Sequence, residues 1–352
     1  MKITDIEARY PRYDPPRWNW RKYLGPVPVW IRTDEGLTGV GLSSGGLAAL
    51  PIINGHLKES LVGEDPLQVE ERWAQMYRLT LPYGQKGIAL MAMSGIDLAL
   101  WDIRAKAQRR PLYQLFGSSA LPDRIPVYVT GSVSSLMTRK DGVTRFKTAR
   151  MHRFDEPDAL NKNISFIKTA RKQIGRDADL MVDAWCKWNV MHALRVMEQV
   201  RDCNIRWLED PLPPEDFDGM RRIKKALPDV PLTLGNFEAG PQGFFRLIEE
   251  GLPDILQPDV SWMGGLTPTL EICKAADKAG KTVILHRGGE AWGLHLMISR
   301  GGPLAEFVLQ ENGDLWIDPP LAGQPIPEQG MIAAPTDDGF GVEFIEDIEY
   351  EP

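Results

Sequence analysis

Lys147, Asp183, Glu209, Asn236, Asp259, His286 and Glu306 each stand at the end of a short apolar run, and each is able to move a proton or hold a cation. Asp183, Glu209 and Asn236 end three consecutive runs and offer one oxygen-bearing side chain apiece. That is the donor set of a hard divalent cation such as Mg2+, with water and substrate oxygens completing an octahedron. Two carboxylates in one semi-enclosed mouth repel each other unless a cation separates them. Neither cysteine nor histidine accompanies the trio, which disfavours zinc. The competing reading pairs Glu209 and Asp210 with Arg206 or Arg222 in salt bridges.

His286 closes the run from Thr282 to Leu285, and Asp259 closes the run before it. A carboxylate one strand away can accept the proton on one ring nitrogen, orient the imidazole and raise its basicity. The other nitrogen is then left for a substrate. The alternative is a satisfied structural histidine. Of the other four histidines, His152 is a candidate pocket residue, whereas His56, His192 and His295 fall in helical contexts and read as structural.

These residues need a scaffold that brings successive strand ends to one mouth. Short β-like segments recur at 127–130, 145–149, 180–184, 205–208, 232–234, 255–257, 283–285 and 307–309, mostly with helical patterning after each. This is the rhythm of a (β/α)8-like barrel, in which polar residues just past the strands line the active end. A doubly wound open sheet alternates similarly, but no GxGxxG follows the first strand. Upstream, the segments around Ile3–Ala8, Val27–Ile31 and Leu37–Gly41 read as an antiparallel meander. Helices are expected over 66–79 and 87–107, the second with an apolar stripe through Ala92, Ile96, Ala99, Leu100 and Ile103. The expected fold class is α/β: a modified TIM barrel, (β/α)7β-like, at 118–320, with an α+β capping domain at 1–117 and a C-terminal segment, 321–352, that packs back on the capping domain.

Composition narrows the class of function. The chain has 352 residues, 43% hydrophobic and 25% charged, which suits two or three soluble domains. Its formal charge of -7 lacks the footprint of a nucleic-acid binder, so an anionic partner needs local positive groups or a metal. Three cysteines, Cys186, Cys203 and Cys273, show no CxxC pairing, and the N-terminus shows no signal-like pattern. The expectation is a cytoplasmic protein with neither a membrane span nor nucleic acid as a partner.

The stretch Gly95-Ile-Asp-Leu-Ala-Leu-Trp-Asp-Ile-Arg-Ala-Lys106, with Pro111-Leu-Tyr-Gln-Leu-Phe-Gly117, resembles the end of the capping domain in the enolase superfamily, mandelate racemase subgroup. Trp207-Leu-Glu-Asp-Pro-Leu-Pro-Pro-Glu215 and Gln257-Pro-Asp-Val-Ser-Trp-Met-Gly-Gly265 are similar to rhamnonate dehydratase-like acid-sugar dehydratases. The resemblance implies Mg2+ at Asp183, Glu209 and Asn236, an Asp-His dyad at Asp259 and His286, and an acid at Glu306. Two departures stand out. Lys147-Thr-Ala149 occupies the place of the family's Lys-x-Lys pair, so the second lysine, a base on the opposite substrate face, is missing. Gly235-Asn-Phe-Glu238 stands where a Gly-Glu-His segment is usual. Either the Asn236 amide ligates the metal or Glu238, two residues along an extended strand, replaces it, and Phe237 takes a position expected to touch substrate.

The resemblance therefore implies dehydration of an aldonate to a 2-keto-3-deoxy acid, with His286 as base, and a homo-oligomeric enzyme of carbohydrate catabolism. Lys147 sits near the carboxylate and metal, or else forms an interior salt bridge to Asp183. Arg17, Trp18, Trp20 and Arg21 belong to a basic, aromatic loop that either closes over the mouth as a specificity lid or forms an oligomer contact. A racemase or epimerase of a 2-hydroxy acid, and a barrel that keeps only a binding role, are the alternatives.

Overall fold

The computed structural model describes residues 1–12, 25–117, 121–138, 142–149, 151–345 and 348–350. Strands β1 (Ile3–Ala8), β2 (Val27–Thr33) and β3 (Thr38–Ser43) form an antiparallel meander in that order. The β2–β3 turn passes through Gly36 at φ +82°, a conformation that disfavours a side chain.

The Ile88–Ala107 helix packs across this sheet, and it is buried well beyond the single expected stripe. Apolar residues all round a helix require partners on every side. On one side, Gly39 and Gly41 of β3 let the strand approach so closely that a Cβ there would strike the carbonyls of Ala99 and Gly95. The two acids within the helix are staples. Asp102 accepts hydrogen bonds from the backbone of Val40 at 2.9 Å and Phe340 at 2.8 Å. Asp97 accepts from the Thr267 hydroxyl at 2.5 Å and the Thr267 N–H at 3.0 Å. It thereby caps the Leu266–Lys278 helix, whose own N-cap residue, Gly265, has no side chain to do so.

The parallel strands are β4 (Arg124–Gly131), β5 (Arg145–Thr148), β6 (Asp179–Asp183), β7 (Ile205–Glu209), β8 (Leu232–Leu234), β9 (Ile255–Leu256), β10 (Thr282–Val283) and β11 (Ala305–Val308). Their order is β10-β9-β8-β7-β6-β5-β4-β11. Sequential neighbours with the last strand beside the first are the mark of a curled barrel; a doubly wound sheet reverses its order at a switch point. The architecture is therefore the α/β modified TIM barrel with an antiparallel N-terminal sheet beside it.

The described residues from 321 onward touch both the barrel and the N-terminal sheet. β12 (Leu321–Ala322) pairs with β14 (Glu343–Phe344), and β13 (Met331–Ala333) lies antiparallel on β4. Phe344 packs edge-on against Trp30 of β2 at 5.2 Å and stacks on Trp292 at 5.7 Å. Inside the barrel, Tyr128, Met181, Trp207, Ile284 and Leu304 form a separate apolar plug. The period of two along a strand then aims Thr130, Asp183 and Glu209, two residues beyond Tyr128, Met181 and Trp207, into the same interior at the C-terminal end. No helix among the described residues is long and apolar enough to cross a membrane.

Candidate active site

Lys147, Asp183, Asn236, His286 and Glu306 line one cavity of about 190 Å³ at the C-terminal ends of the strands. Glu209 is fully buried beside it, in register with Asp183 on the neighbouring strand. Its Oε1 is ion-paired with Lys147, and its Oε2 accepts from the Trp207 indole at 3.0 Å. Arg206 pairs with Asp179 rather than with Glu209.

Lys147 lies between Glu209 and Glu306, 2.9 Å from Glu306 Oε1, and not on Asp183. Burial opposes its charge, but Glu209 and Glu306 outweigh burial and hold the ammonium protonated. Glu306 also accepts from the Thr130 hydroxyl at 2.5 Å and from the Arg287 backbone N–H at 2.9 Å. Arg287 reaches that position with φ +54°, an uncommon conformation for a residue with a side chain. Burial raises the Glu306 pKa, yet the charges of Lys147 and His286 and the hydrogen bonds from Thr130 and Lys147 bring it down to about 2. An ionised Glu306 accepts hydrogen bonds only; it donates one only after taking up a proton.

His286 stands three residues past the end of β10, on a turn. Its Nδ1 is 2.6 Å from Asp259 Oδ2. The other carboxylate oxygen, Oδ1, accepts from Ser261 N at 2.8 Å and Ser261 Oγ at 2.7 Å. Burial disfavours the imidazolium, but the Asp259 hydrogen bond and the charge of Glu306 prevail and raise its pKa. Burial likewise works against the Asp259 carboxylate, and His286 nevertheless keeps its pKa low.

Among the described residues no three His, Cys, Asp or Glu side chains gather as a metal cage. The candidate set is two carboxylates and an amide. Asn236 Oδ1 is buried with no hydrogen-bond partner among the described residues, and burial together with the charge of Glu209 pushes the Asp183 pKa far up. An unpaired amide oxygen beside a carboxylate that resists ionisation is an environment a hard cation would satisfy, so these residues fit Mg2+.

Residues 133–348 match the enolase C-terminal domain-like family, and residues 25–117 match the mandelate racemase / muconate lactonizing enzyme N-terminal domain. The chain belongs to the enolase superfamily. A putative L-rhamnonate dehydratase of Caldivirga maquilingensis is 33% identical, over 97% of this chain and 87% of its own length. Rhamnonate dehydratase from Gibberella zeae, in a crystal structure complexed with Mg, superposes with a TM-score of 0.90 at 28% identity, covering 98% of this chain and 94% of that one. The 3,6-anhydro-D-galactonate cycloisomerase from Zobellia galactanivorans gives a TM-score of 0.87 at 28% identity, covering 99% and 98%.

Within this enolase-superfamily barrel, two of the residues singled out from sequence lie away from the cavity. Glu238 fails as an alternative ligand because the chain turns after Leu234, with Gly235 at φ +125°, so the two-residue alternation of a strand no longer applies. Its carboxylate ion-pairs with Lys86 at 3.2 Å. His152 is likewise displaced: its ring pairs with Glu156 at 2.8 Å on the exposed side of the 151–158 loop. Phe237 makes no wall of the cavity itself but braces two residues that do, with ring centroids 5.9 Å from Trp185 and 6.3 Å from Trp262. Arg17, Trp18, Trp20 and Arg21 lie outside the described residues.

The cavity also gathers Trp185, Trp262, Arg287, Trp316 and Ser44, none of which sequence reasoning selected. Trp185, Trp262 and Arg287 lie within three residues after Asp183, Asp259 and His286, and that proximity was the available signal. Trp316 and Ser44 come from distant parts of the chain and carried none.

Proposed function

We propose that this enolase-superfamily protein is a Mg2+-dependent acid-sugar dehydratase. It takes an aldonate, abstracts the proton α to the carboxylate and eliminates the β-hydroxyl to leave a 2-keto-3-deoxy acid. The working parts are a capping domain at 1–117, a barrel at 118–320 and a returning segment at 321–352. The enzyme acts on a small anionic substrate, as a homo-oligomer in the cytoplasm.

The reading rests on the one-sided supply of bases. His286, paired with Asp259, is a base in waiting. Lys147 in the same cavity is kept cationic by two carboxylates, and Ala149, at the place where the family resemblance puts a second lysine, lines the cavity without offering a second base. One base suffices for elimination with proton return, whereas two-base racemisation needs both faces covered.

In this scheme Asp183, Glu209 and the Asn236 amide would hold Mg2+, which when bound would supply positive charge to stabilise the substrate carboxylate as its α-proton is removed. His286 Nε2, the nitrogen turned away from Asp259, takes that proton. Asp259 balances the imidazolium that results. The same imidazolium then returns the proton to the departing β-hydroxyl, which leaves as water, and the enol product tautomerises. Lys147 adds a fixed cation near the developing charge, and ionised Glu306 accepts a hydrogen bond from a substrate hydroxyl. The indoles of Trp185, Trp262 and Trp316 give the cavity an apolar side against which the C–H face of a sugar acid packs.

The decisive experiment is a screen of acid sugars with Mg2+ for 2-keto-3-deoxy product, repeated in deuterated water. Product from an aldonate, lost in His286→Asn, is the expected result. Solvent exchange or epimerisation without dehydration would move the assignment to a racemase, and no turnover together with no Mg2+ binding would leave only a binding role.

A further inference from the structure

Ser44 follows β3 of the N-terminal sheet directly, yet it lines the barrel cavity. Its backbone N–H donates to Ser261 O at 3.2 Å, and its hydroxyl lies 3.2 Å from Ser261 Oγ. Ser261 Oγ donates to Asp259 Oδ1, so its lone pairs face the Ser44 hydroxyl, which is the donor in that pair. Both serines and Asp259 are buried. The result is a directed chain across two parts of the molecule: Ser44 to Ser261, Ser261 to Asp259, Asp259 to His286.

We infer that Ser261 and Ser44 are positioning residues for the Asp259–His286 pair, through which the N-terminal sheet sets the orientation and basicity of the imidazole. The inference rests on the reading of His286 as the base. The carboxylate has two oxygens and a limited share of charge to give. Two donors from Ser261 on Oδ1 fix its plane, so that Oδ2 meets His286 Nδ1, and they draw charge away from Oδ2. Removing the Ser261 hydroxyl leaves the backbone donor in place but concentrates charge on Oδ2, which makes His286 more basic and looser. Removing the Ser44 hydroxyl weakens Ser261 as a donor and acts in the same direction, by less.

Ser44 is held firmly enough for this task. The Ser43 hydroxyl is bound to Met91 O at 2.8 Å, and β3 rests on the Ile88–Ala107 helix through Gly41. Glu306, Lys147, Glu290 and Asp210 also bear on the imidazole, Arg287 bears on Asp259, and Asp183 and Asp318 line the same cavity; among the described residues the first five have no hydrogen bond to either serine.

The test uses the full chain with Mg2+ and the aldonate found by screening, in Ser261→Ala, Ser261→Thr, Ser44→Ala and the double alanine variant. The His286 ring is followed by 15N resonance over pH in each, independently of turnover. Ser261→Ala is expected to raise the His286 titration midpoint and lower kcat about threefold to tenfold with KM nearly unchanged, the scale of one ordinary intramolecular hydrogen bond. Ser261→Thr keeps the hydroxyl and restores both. Ser44→Ala gives a smaller shift of the same sign, and the double variant is no worse than Ser261→Ala. A His286 midpoint unmoved by Ser261→Ala, or fully additive effects of the two serines, would overturn the inference. His286→Asn is the separate control: if it retains proton abstraction, the assignment of the base is wrong, whatever the serines do to the ring titration.

Discussion

Glu306 Oε1 lies 2.9 Å from Lys147 Nζ, and neither side chain reaches solvent. Lys147 is also the ion-pair partner of Glu209, so one ammonium serves a proposed metal ligand and a strand-end acid together. Removing it strands two buried carboxylates.

Lys147→Met is therefore expected to cost about 3–5 kcal/mol of folding stability, the penalty for leaving buried charge unpaired. Turnover should fall about a hundredfold or more through loss of a fixed cation near the reacting carboxylate. Thermal unfolding and kcat measure the two effects, and added Mg2+ should recover part of the stability but not the rate. A variant with wild-type Tm would show that Lys147 is not the counterion of this pair in solution.

The pH dependence follows from the dyad. His286 works as a base only when neutral, and its pKa is raised above the ordinary 6.5. The ratio kcat/KM should thus fall as pH drops through a midpoint above 6.5. Asp259→Asn removes the hydrogen bond and the charge that raise it, so the limb moves to lower pH while the rate falls by about 10²–10⁴. A limb that stays in place in Asp259→Asn would assign it to another group.

Metal binding should track the third donor. Asn236→Asp adds a negative charge to Asp183 and Glu209 and should tighten Mg2+ binding in calorimetric titration, whereas Asn236→Ala should weaken it. Chelation should abolish turnover, and saturating Mg2+ should raise Tm by mass action. Equal Mg2+ affinity in Asn236→Ala would remove the amide from the ligand set.

His295 provides an acid-stability prediction away from the site. Its Nδ1 accepts from Tyr113 N at 3.1 Å and its Nε2–H donates to Phe340 O at 3.1 Å, which fixes a neutral tautomer. Burial lowers its pKa from 6.5 to about 4. Between those values the unfolded chain binds the proton and the folded chain does not, so stability is lost as pH falls from 6.5 and the loss is complete near 4. The loss amounts to about 3 kcal/mol. Tm measured from pH 7 to 4.5 should drop more steeply in the wild type than in His295→Gln.

Asp97→Ala should lower Tm by removing both bonds to Thr267 and leaving the start of the Leu266–Lys278 helix uncapped, a loss of about 1–3 kcal/mol. Burial holds the Asp97 pKa near 7 against these bonds. Asp97→Asn, which keeps one acceptor and carries no charge to bury, should cost less. The order of the two variants in thermal melts checks the claim.

The amino-acid sequence by itself determined the strand ends. An apolar run followed by a polar residue is a local pattern, and the period of two carries Asp183 and Glu209 to the barrel interior without further information. It also marked Asp259 and His286 as ends of neighbouring runs. The same logic failed at Glu238, because a turn at Gly235 cancels the alternation, and at His152, which a local ion pair with Glu156 turns outward. Only the tertiary structure decided that Lys147 bridges Glu209 and Glu306 rather than Asp183, since a lysine side chain spans several strands' worth of candidates. Only it could bring Ser44, from the N-terminal sheet, within 3.2 Å of Ser261. Those contacts join residues far apart in the chain, and the second depends on how closely Gly39 and Gly41 let β3 approach its helix, a packing distance that no local pattern encodes.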